Sequence, residues 1–332
     1  DRTLFAPDVD PGRVGDDSTT RADGCVESTD TSDETSAVAP AAGAVIPDRF
    51  ETHEVFQRII AAADVEATTG TRKLFFSGLA AGFAVTLTFL LYASLSAATA
   101  GEPLASAVLY PIGFLFIILG GYQLYTENTL PPVVLVLERL ASLPRLLWTW
   151  AVVLVGNFTG GGLGAVVLAR TGVFPPDTAA TATTIALEGI ATPFWDLLFK
   201  GAFAGLIVAG VVWLVYAVRD ATSRVLLVYL AFLAIPAGNL FHVVVSFTEV
   251  VYLSVGGQAT LWTGLRRFVL PVLLGNTLGG VLLVTVVNYF QTVEQRLAVA
   301  REDGTERRLS RREWLLGRRA GRSYVPRRKN DD

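Results

Sequence analysis

Most of the residue types that could do chemistry gather in one stretch, Ala234-Ile-Pro-Ala-Gly-Asn-Leu-Phe-His242-Val-Val-Val-Ser-Phe-Thr-Glu249. The stretch lies inside a long apolar run. Lipid cannot satisfy the backbone groups that Pro and Gly free, nor the polar atoms of Asn, His and Glu, so a lipid-facing helix avoids all five. Their concentration here predicts a helix broken at mid-membrane, with its loose ends and His242 lining a cavity. An imidazole in such a place can hydrogen-bond a passing solute or relay a proton near neutral pH. Lys200, near the start of another apolar run, supplies a cation, and Glu127 and Glu249 supply carboxylates. No nucleophile, metal cluster or nucleotide motif accompanies them, which argues against an enzyme. With two histidines and one cysteine, Cys25, no histidine-based metal site, intramolecular disulfide or cofactor is expected.

The elements that must hold these residues are read from hydropathy. Apolar residues make up 52% of the chain, charged residues 17%, and mean hydropathy is +0.47, which places the chain among all-α polytopic membrane proteins. Six apolar runs are expected to cross the bilayer, roughly Leu74–Ala97, Leu104–Tyr125, Leu146–Ala169, Trp195–Val218, Val225–Val255 and Phe268–Tyr289. Each is long enough for a hydrocarbon core of about 30 Å. The second is interrupted by Thr126-Glu127-Asn128-Thr129-Leu130-Pro131-Pro132, a second break. The polar stretch with Pro175, Pro176, Asp177 and Glu188 reads as a connection.

Four regions follow. Residues 1–47 form an acidic tail with too little apolar surface to fold, and it lacks the basic and apolar segments of a signal peptide. Residues 48–73 carry Val55, Ile59, Ile60 and Ala63 at helical spacing, an amphipathic helix on the membrane surface or against the bundle. Residues 74–290 are the six-helix membrane domain. Residues 291–332 are a basic, solvated tail able to rest on anionic headgroups. No nucleic-acid partner is expected, because no aromatic-studded module accompanies the charge. Arg72, Lys73, Arg139, Arg145, Arg219 and Arg224 put both termini in the cytoplasm. Arg266 and Arg267 then fall on the outer side, as an anion-attracting rim or an interface pair.

Gly156-Asn157-Phe158-Thr159-Gly160-Gly161 in the third run matches Gly275-Asn276-Thr277-Leu278-Gly279-Gly280 in the sixth, and each follows a broken run. The chain therefore reads as three helices plus three. An odd number per half inverts the second copy, an architecture of channels and transporters with a site near the midplane.

These residues resemble the formate/nitrite transporter family over most of Phe75 to Tyr289. The similarity rests on Gly121-Tyr122-Gln123-Leu124-Tyr125-Thr126-Glu127-Asn128, on Ala237-Gly238-Asn239-Leu240-Phe241-His242, on Lys200 and on the two Gly-Asn helices. The resemblance implies an aquaporin-like inverted repeat with the second and fifth helices broken, although neither break carries Asn-Pro-Ala. It also implies a multi-pass protein of the cell membrane, a homopentamer in the lipid bilayer with one pore per protomer. The permeant would be a small anion of a weak acid, such as formate or nitrite. His242 would be the pore histidine, with Leu124, Tyr125 and Phe241 as apolar gates. Thr126 and Asn239 would bind the permeant or hold the loops, and Asn157 and Asn276 would cap the broken backbone. The chain departs from the family pattern at Phe241 (commonly Glu), Ser246 (commonly Asn), Gly205 (Asn) and Glu127 (a small neutral residue). Glu127 is expected to be protonated, paired with Lys200 or turned to a protomer interface. The departures bear on the permeant and leave open a path for a neutral or cationic solute, or a non-conducting scaffold or sensor.

Overall fold

The computed structural model describes residues 50–292, 306–317 and 323–324; the expected acidic tail, 1–47, and much of the basic tail lie outside these. Within them the chain is helical apart from a two-residue strand pair, Glu306–Arg307 with Ser323–Tyr324. Helix α1 (Thr52–Thr68) starts at a capping box in which the Glu51 N–H donates to the Glu54 carboxylate at 3.0 Å. Its apolar side buries Val55, Phe56, Ile59 and Ile60 against protein rather than leaving them to lipid. The chain then runs through α2 (Thr71–Ala98), α3 (Pro103–Ala107) and α4 (Pro111–Gly120). After the first break come α5 (Pro131–Leu137), α6 (Leu143–Arg170), α7 (Pro176–Ala191), α8 (Phe194–Ala217) and α9 (Ala221–Ala237). The second break leads to α10 (Val243–Val255) and a last long helix, α11 (Leu261–Gln291).

Among the described residues, five helical stretches are long and apolar enough to cross a membrane: α2, Pro103–Gly120, α6, α8 and α11. The expected fifth run is divided into α9 and α10, each too short to cross alone. Pro131 and Pro132 fall in the first turn of α5, where the missing N–H costs nothing and the fixed φ suits the helix.

Two expectations are corrected. The polar stretch after α6 is not a plain connection but helix α7, whose Thr178, Ala182, Ala186 and Gly189 turn inward at helical spacing. Its outward threonines hide their hydroxyls by donating one turn back, as Thr181 does to Asp177 O and Thr184 to Ala180 O. The last helix begins at Leu261, not near Phe268, so Arg266 and Arg267 sit in a helical turn of π type instead of a loop. In a second π segment, Gly279–Val286, the Thr285 hydroxyl reaches the Gly280 carbonyl five residues back at 3.0 Å.

Part of the tail expected to be solvated is docked. Leu309 N–H donates to Arg139 O at 2.9 Å, and Trp314 Nε1–H donates to Val136 O at 2.7 Å. Arg308 reaches the buried Glu138 carboxylate at 3.1 Å. The segment is thus fastened to the end of α5 just before the turn into α6.

Helix α2 packs along α6, and α8 packs along α11, through matched glycines. A Cβ on Gly82 would strike the Asn157 carbonyl; one on Gly205 would strike the Asn276 carbonyl. Because these obstacles are backbone, Gly82→Ala and Gly205→Ala should each lower stability by about 1–3 kcal/mol. Gly210→Ala, which meets nothing within 4 Å, should not. Thermal melts of the detergent-solubilised variants, followed by size-exclusion, check this.

Candidate functional site: the junction of two broken helices

The two breaks are built alike. Helix α4 ends on Gly121 with φ +66°, and α9 ends with Asn239 at φ +52°. Both residues take the left-handed slot that ends a helix, and in each case the next N–H bonds back: Tyr122 to Ile117 O at 3.0 Å, Leu240 to Ile235 O at 2.9 Å. Beyond these turns the chain cannot satisfy itself, and one asparagine serves each break. Asn157 Oδ1 accepts from Tyr125 N–H at 2.9 Å, while its Nδ2 donates to Gln123 O at 2.9 Å and Gly78 O at 2.8 Å. Asn276 Oδ1 accepts from Val243 N–H at 2.9 Å, while its Nδ2 donates to Phe241 O at 3.0 Å and Gly201 O at 2.8 Å.

These bonds set the correspondence between the halves. Leu124 stands where the other half has His242, and Gln123 where it has Phe241. Ser77, next to Gly78, stands where the other half has Lys200. The Ser77 hydroxyl accepts from Gln123 N–H at 3.0 Å, and the Lys200 ammonium lies 5.6 Å from the Phe241 ring centre. The same backbone thus carries an apolar plug on one side and an imidazole with a nearby cation on the other.

The breaks meet at a hydrogen bond of 2.8 Å between Thr126 Oγ1 and His242 Nε2. Both residues are 1% exposed, so the centre is closed in this conformation. Phe114 holds the imidazole edge-on at 4.9 Å and is itself stacked on Phe232 at 3.9 Å. On the α7 side of this seal is a cavity of about 160 Å³ lined by Lys200, Asn239, Phe241, His242, Ser246 and Glu249, with Tyr92, Tyr110 and Glu188. Leu124, Tyr125 and Thr126 are buried around the first break, and none of them lines that cavity. Tyr125 is fixed by its hydroxyl, 2.8 Å from Thr277 Oγ1, and by the edge of Trp150.

The sequence model described as "Formate/nitrite transporter" matches residues 53–290. The chain belongs to that family. Among relatives, it is 26% identical to the inner membrane protein YfdC of Escherichia coli over 223 residues, covering 66% of this chain and 71% of that protein. It is 24% identical to the formate channel FocA of Haemophilus influenzae over 267 residues, 70% of this chain and 94% of that one. The fold is similar to a solved "FNT family ion channel", with TM-score 0.66 and 23% identity over 72% of this chain and 98% of that one. It is also similar to a "Pentameric formate channel with formate bound", with TM-score 0.57 and 18% identity over 67% and 97%.

Within this formate/nitrite transporter fold, Glu127 does not pair with Lys200. Among the described residues no such ion pair exists, and the two lie on opposite sides of the seal. Glu127 opens the 3-10 turn Glu127–Thr129, and its Oε1 is buried without a hydrogen-bond partner. Glu66 of α1 is a neighbour on this side of the seal. Glu66 in turn receives the Gln123 side-chain amide at 3.5 Å, and Gln123 Oε1 accepts from Asn128 at 2.9 Å. Helix α1 therefore touches the first break directly. The amphipathic pattern of α1 gave no hint of this, because Glu66 reads as a solvent-face residue. Ser246 and Glu249 follow His242 by four and seven residues, a helical stripe open to recognition. Tyr92, Tyr110 and Glu188 reach the cavity from other helices and have no local signal.

Two outcomes are expected. Asn239→Gly should fold and conduct as the parent does, while Asn239→Val should lose about 1–2 kcal/mol from its left-handed backbone; a melt beside a flux assay separates a backbone role from contact with the permeant. Burial pushes the Glu66 carboxyl up to about 7, partly opposed by the Gln123 hydrogen bond. The folded state then holds this proton more tightly than the unfolded chain. The stability it contributes is complete below the ordinary carboxylate range and is lost as pH rises through about 7. Glu66→Gln should flatten the fall in melting temperature between pH 5 and 8, seen in a pH series of thermal melts.

Proposed function

We propose that this protein is a channel for small monovalent anions of weak acids, formate and nitrite among them. In this reading it works as a homopentamer in the cell membrane, with six crossings per protomer and both termini in the cytoplasm. The observation that carries it is the cavity at the junction of the breaks, which Lys200 and His242 both line. A bare anion in an apolar pore loses hydration at a cost of many kcal/mol. Lys200 offsets that cost by attraction, and the N-terminal end of α10, which begins directly after His242, adds the favourable end of a helix dipole, although its first N–H, on Val243, is already held by Asn276.

His242 supplies the second device. One ring nitrogen is engaged by Thr126, and Nδ1 is buried with no partner. A ring held this way can hydrogen-bond an anion or pass it a proton, and the neutral acid crosses the apolar centre far more easily than its anion. Leu124 and Phe241 act as apolar constrictions on either side. Thr126 positions the imidazole, while Asn157, Asn276 and Asn239 hold the backbone. The names of the relatives, a formate channel among them, support formate as the first solute to try. A path for a neutral or cationic solute is the second reading, favoured by Glu188 and Glu249 in the cavity and by Glu127 beyond the seal.

The test is formate and nitrite flux into proteoliposomes across a pH series. The parent should move both. His242→Asn should lose at least about tenfold in rate or lose its pH dependence, and Lys200→Met should slow anion uptake. No flux of either anion from a folded, assembled parent would overturn the anion reading, and ammonium uptake in the same vesicles would support the second one.

A further inference from the structure

Glu249 is the buried carboxyl in the cavity that the central imidazole and Lys200 leave without a task. It sits on α10 two turns after His242, with Ser246 between them on the same helical stripe, and all three line the cavity. Ser246 Oγ and His242 Nδ1 are both buried and both lack a hydrogen-bond partner. Among the described residues, none pairs with the Glu249 carboxyl or donates to it. Two buried polar atoms without a partner, on one helical stripe with a carboxyl that no described residue donates to, call for a ligand or a mobile proton.

We propose that the cavity is a paired anion-and-proton site, with the anion held at the Lys200 end and the accompanying proton on Glu249. This rests on the anion reading and names the residue that couples protons to it. With Glu249 ionised, its charge cancels that of Lys200, and an incoming anion meets no net attraction. With Glu249 neutral, Lys200 stands unopposed. Anion and proton therefore strengthen each other's binding, and the linkage is reciprocal. The transfer balances: the O–H bond of the Glu249 carboxyl breaks, an O–H bond forms on the anion, and the neutral acid moves on toward Thr126. The carboxylate left behind takes its next proton from water entering at the α7 side.

The neighbouring ionisable groups fit this role. Tyr92 from α2 and Tyr110 before α4 offer hydroxyls, not charges. Glu188 from α7 is exposed, at the mouth. Arg170 of α6 is bound to Val255 O at 3.1 Å, and Arg266 and Arg267 of α11 are exposed and do not line the cavity. Among the described residues, Lys200 is the one cation that lines it.

The experiment uses the full chain in proteoliposomes with a trapped pH dye, formate as the probe, and the variants E249Q and E249D. The parent should carry protons inward with formate, and formate binding should tighten at least about fivefold from pH 8 to pH 5. E249Q should move formate as a charged species driven by voltage, with proton movement lost and the pH dependence of binding flattened; E249D should restore part of both. Proton movement with formate in E249Q equal to the parent's would overturn the proposal. Infrared difference spectra on formate addition give a readout that does not need flux. A carboxylic-acid C=O band that changes in the parent and is missing in E249Q supports the assignment, and no such band in the parent defeats it. A parent that moves neither formate nor nitrite defeats the anion reading itself, which E249Q alone does not test.

Discussion

A chain that stops being helical inside a bilayer must find protein partners for every backbone group it frees. Here that requirement falls on two side chains. Asn157 and Asn276 each make three hydrogen bonds, to an N–H and a carbonyl of the break and to a carbonyl of the helix packed alongside. Leaving a buried group unpaired costs about 1–3 kcal/mol, so each asparagine carries several kcal/mol of its local structure. The glycine seams between α2 and α6 and between α8 and α11 follow from the same need. An asparagine reaches the carbonyls of Gly78 or Gly201 only if the two helix backbones nearly touch. The cavity exists because the breaks are held open in this way.

Chemistry then arises where the sequence departs from the symmetry of the backbone. The slot filled by Leu124 in one half holds His242 in the other, and the slot of Ser77 holds Lys200. The first half supplies a plug and a hydrogen bond to its own loop; the second supplies an imidazole and a cation. The bond between Thr126 and His242 joins the two contributions at the centre, where both residues are shut away from solvent.

Much of this was legible in the sequence because polar and helix-breaking residues are costly in lipid and so stand out. The breaks at Thr126–Pro132 and Pro236–His242, the paired Gly-Asn strings, His242 and Lys200 are signals of that kind. Where the cost is hidden, the sequence was mute. Helix α7 looked like a connection because its threonines satisfy themselves one turn back. The start of α11 was set too late because Arg266 and Arg267 read as loop residues, although a helix end outside the core tolerates them. Of the three expectations for Glu127, pairing with Lys200 fails because the two belong to opposite sides of the seal, and linear sequence carries no sign of which side a loop residue faces. The docking of Trp314 on Val136 has no pattern at all, since a backbone carbonyl leaves no trace in a side-chain sequence.

The first break receives its asparagine only 32 residues later, as soon as α6 is made. Another of its carbonyls, on Thr129, waits for the hydroxyl of Thr285, 156 residues further along. At about 5–20 residues per second, that interval is on the order of ten seconds of synthesis. During it the nascent half-bundle has its loop pinned but not yet lidded, and water or a translocon wall must serve the open group. The inverted repeat therefore does not assemble as two finished halves that dock; α11, made long after α6, completes the first break.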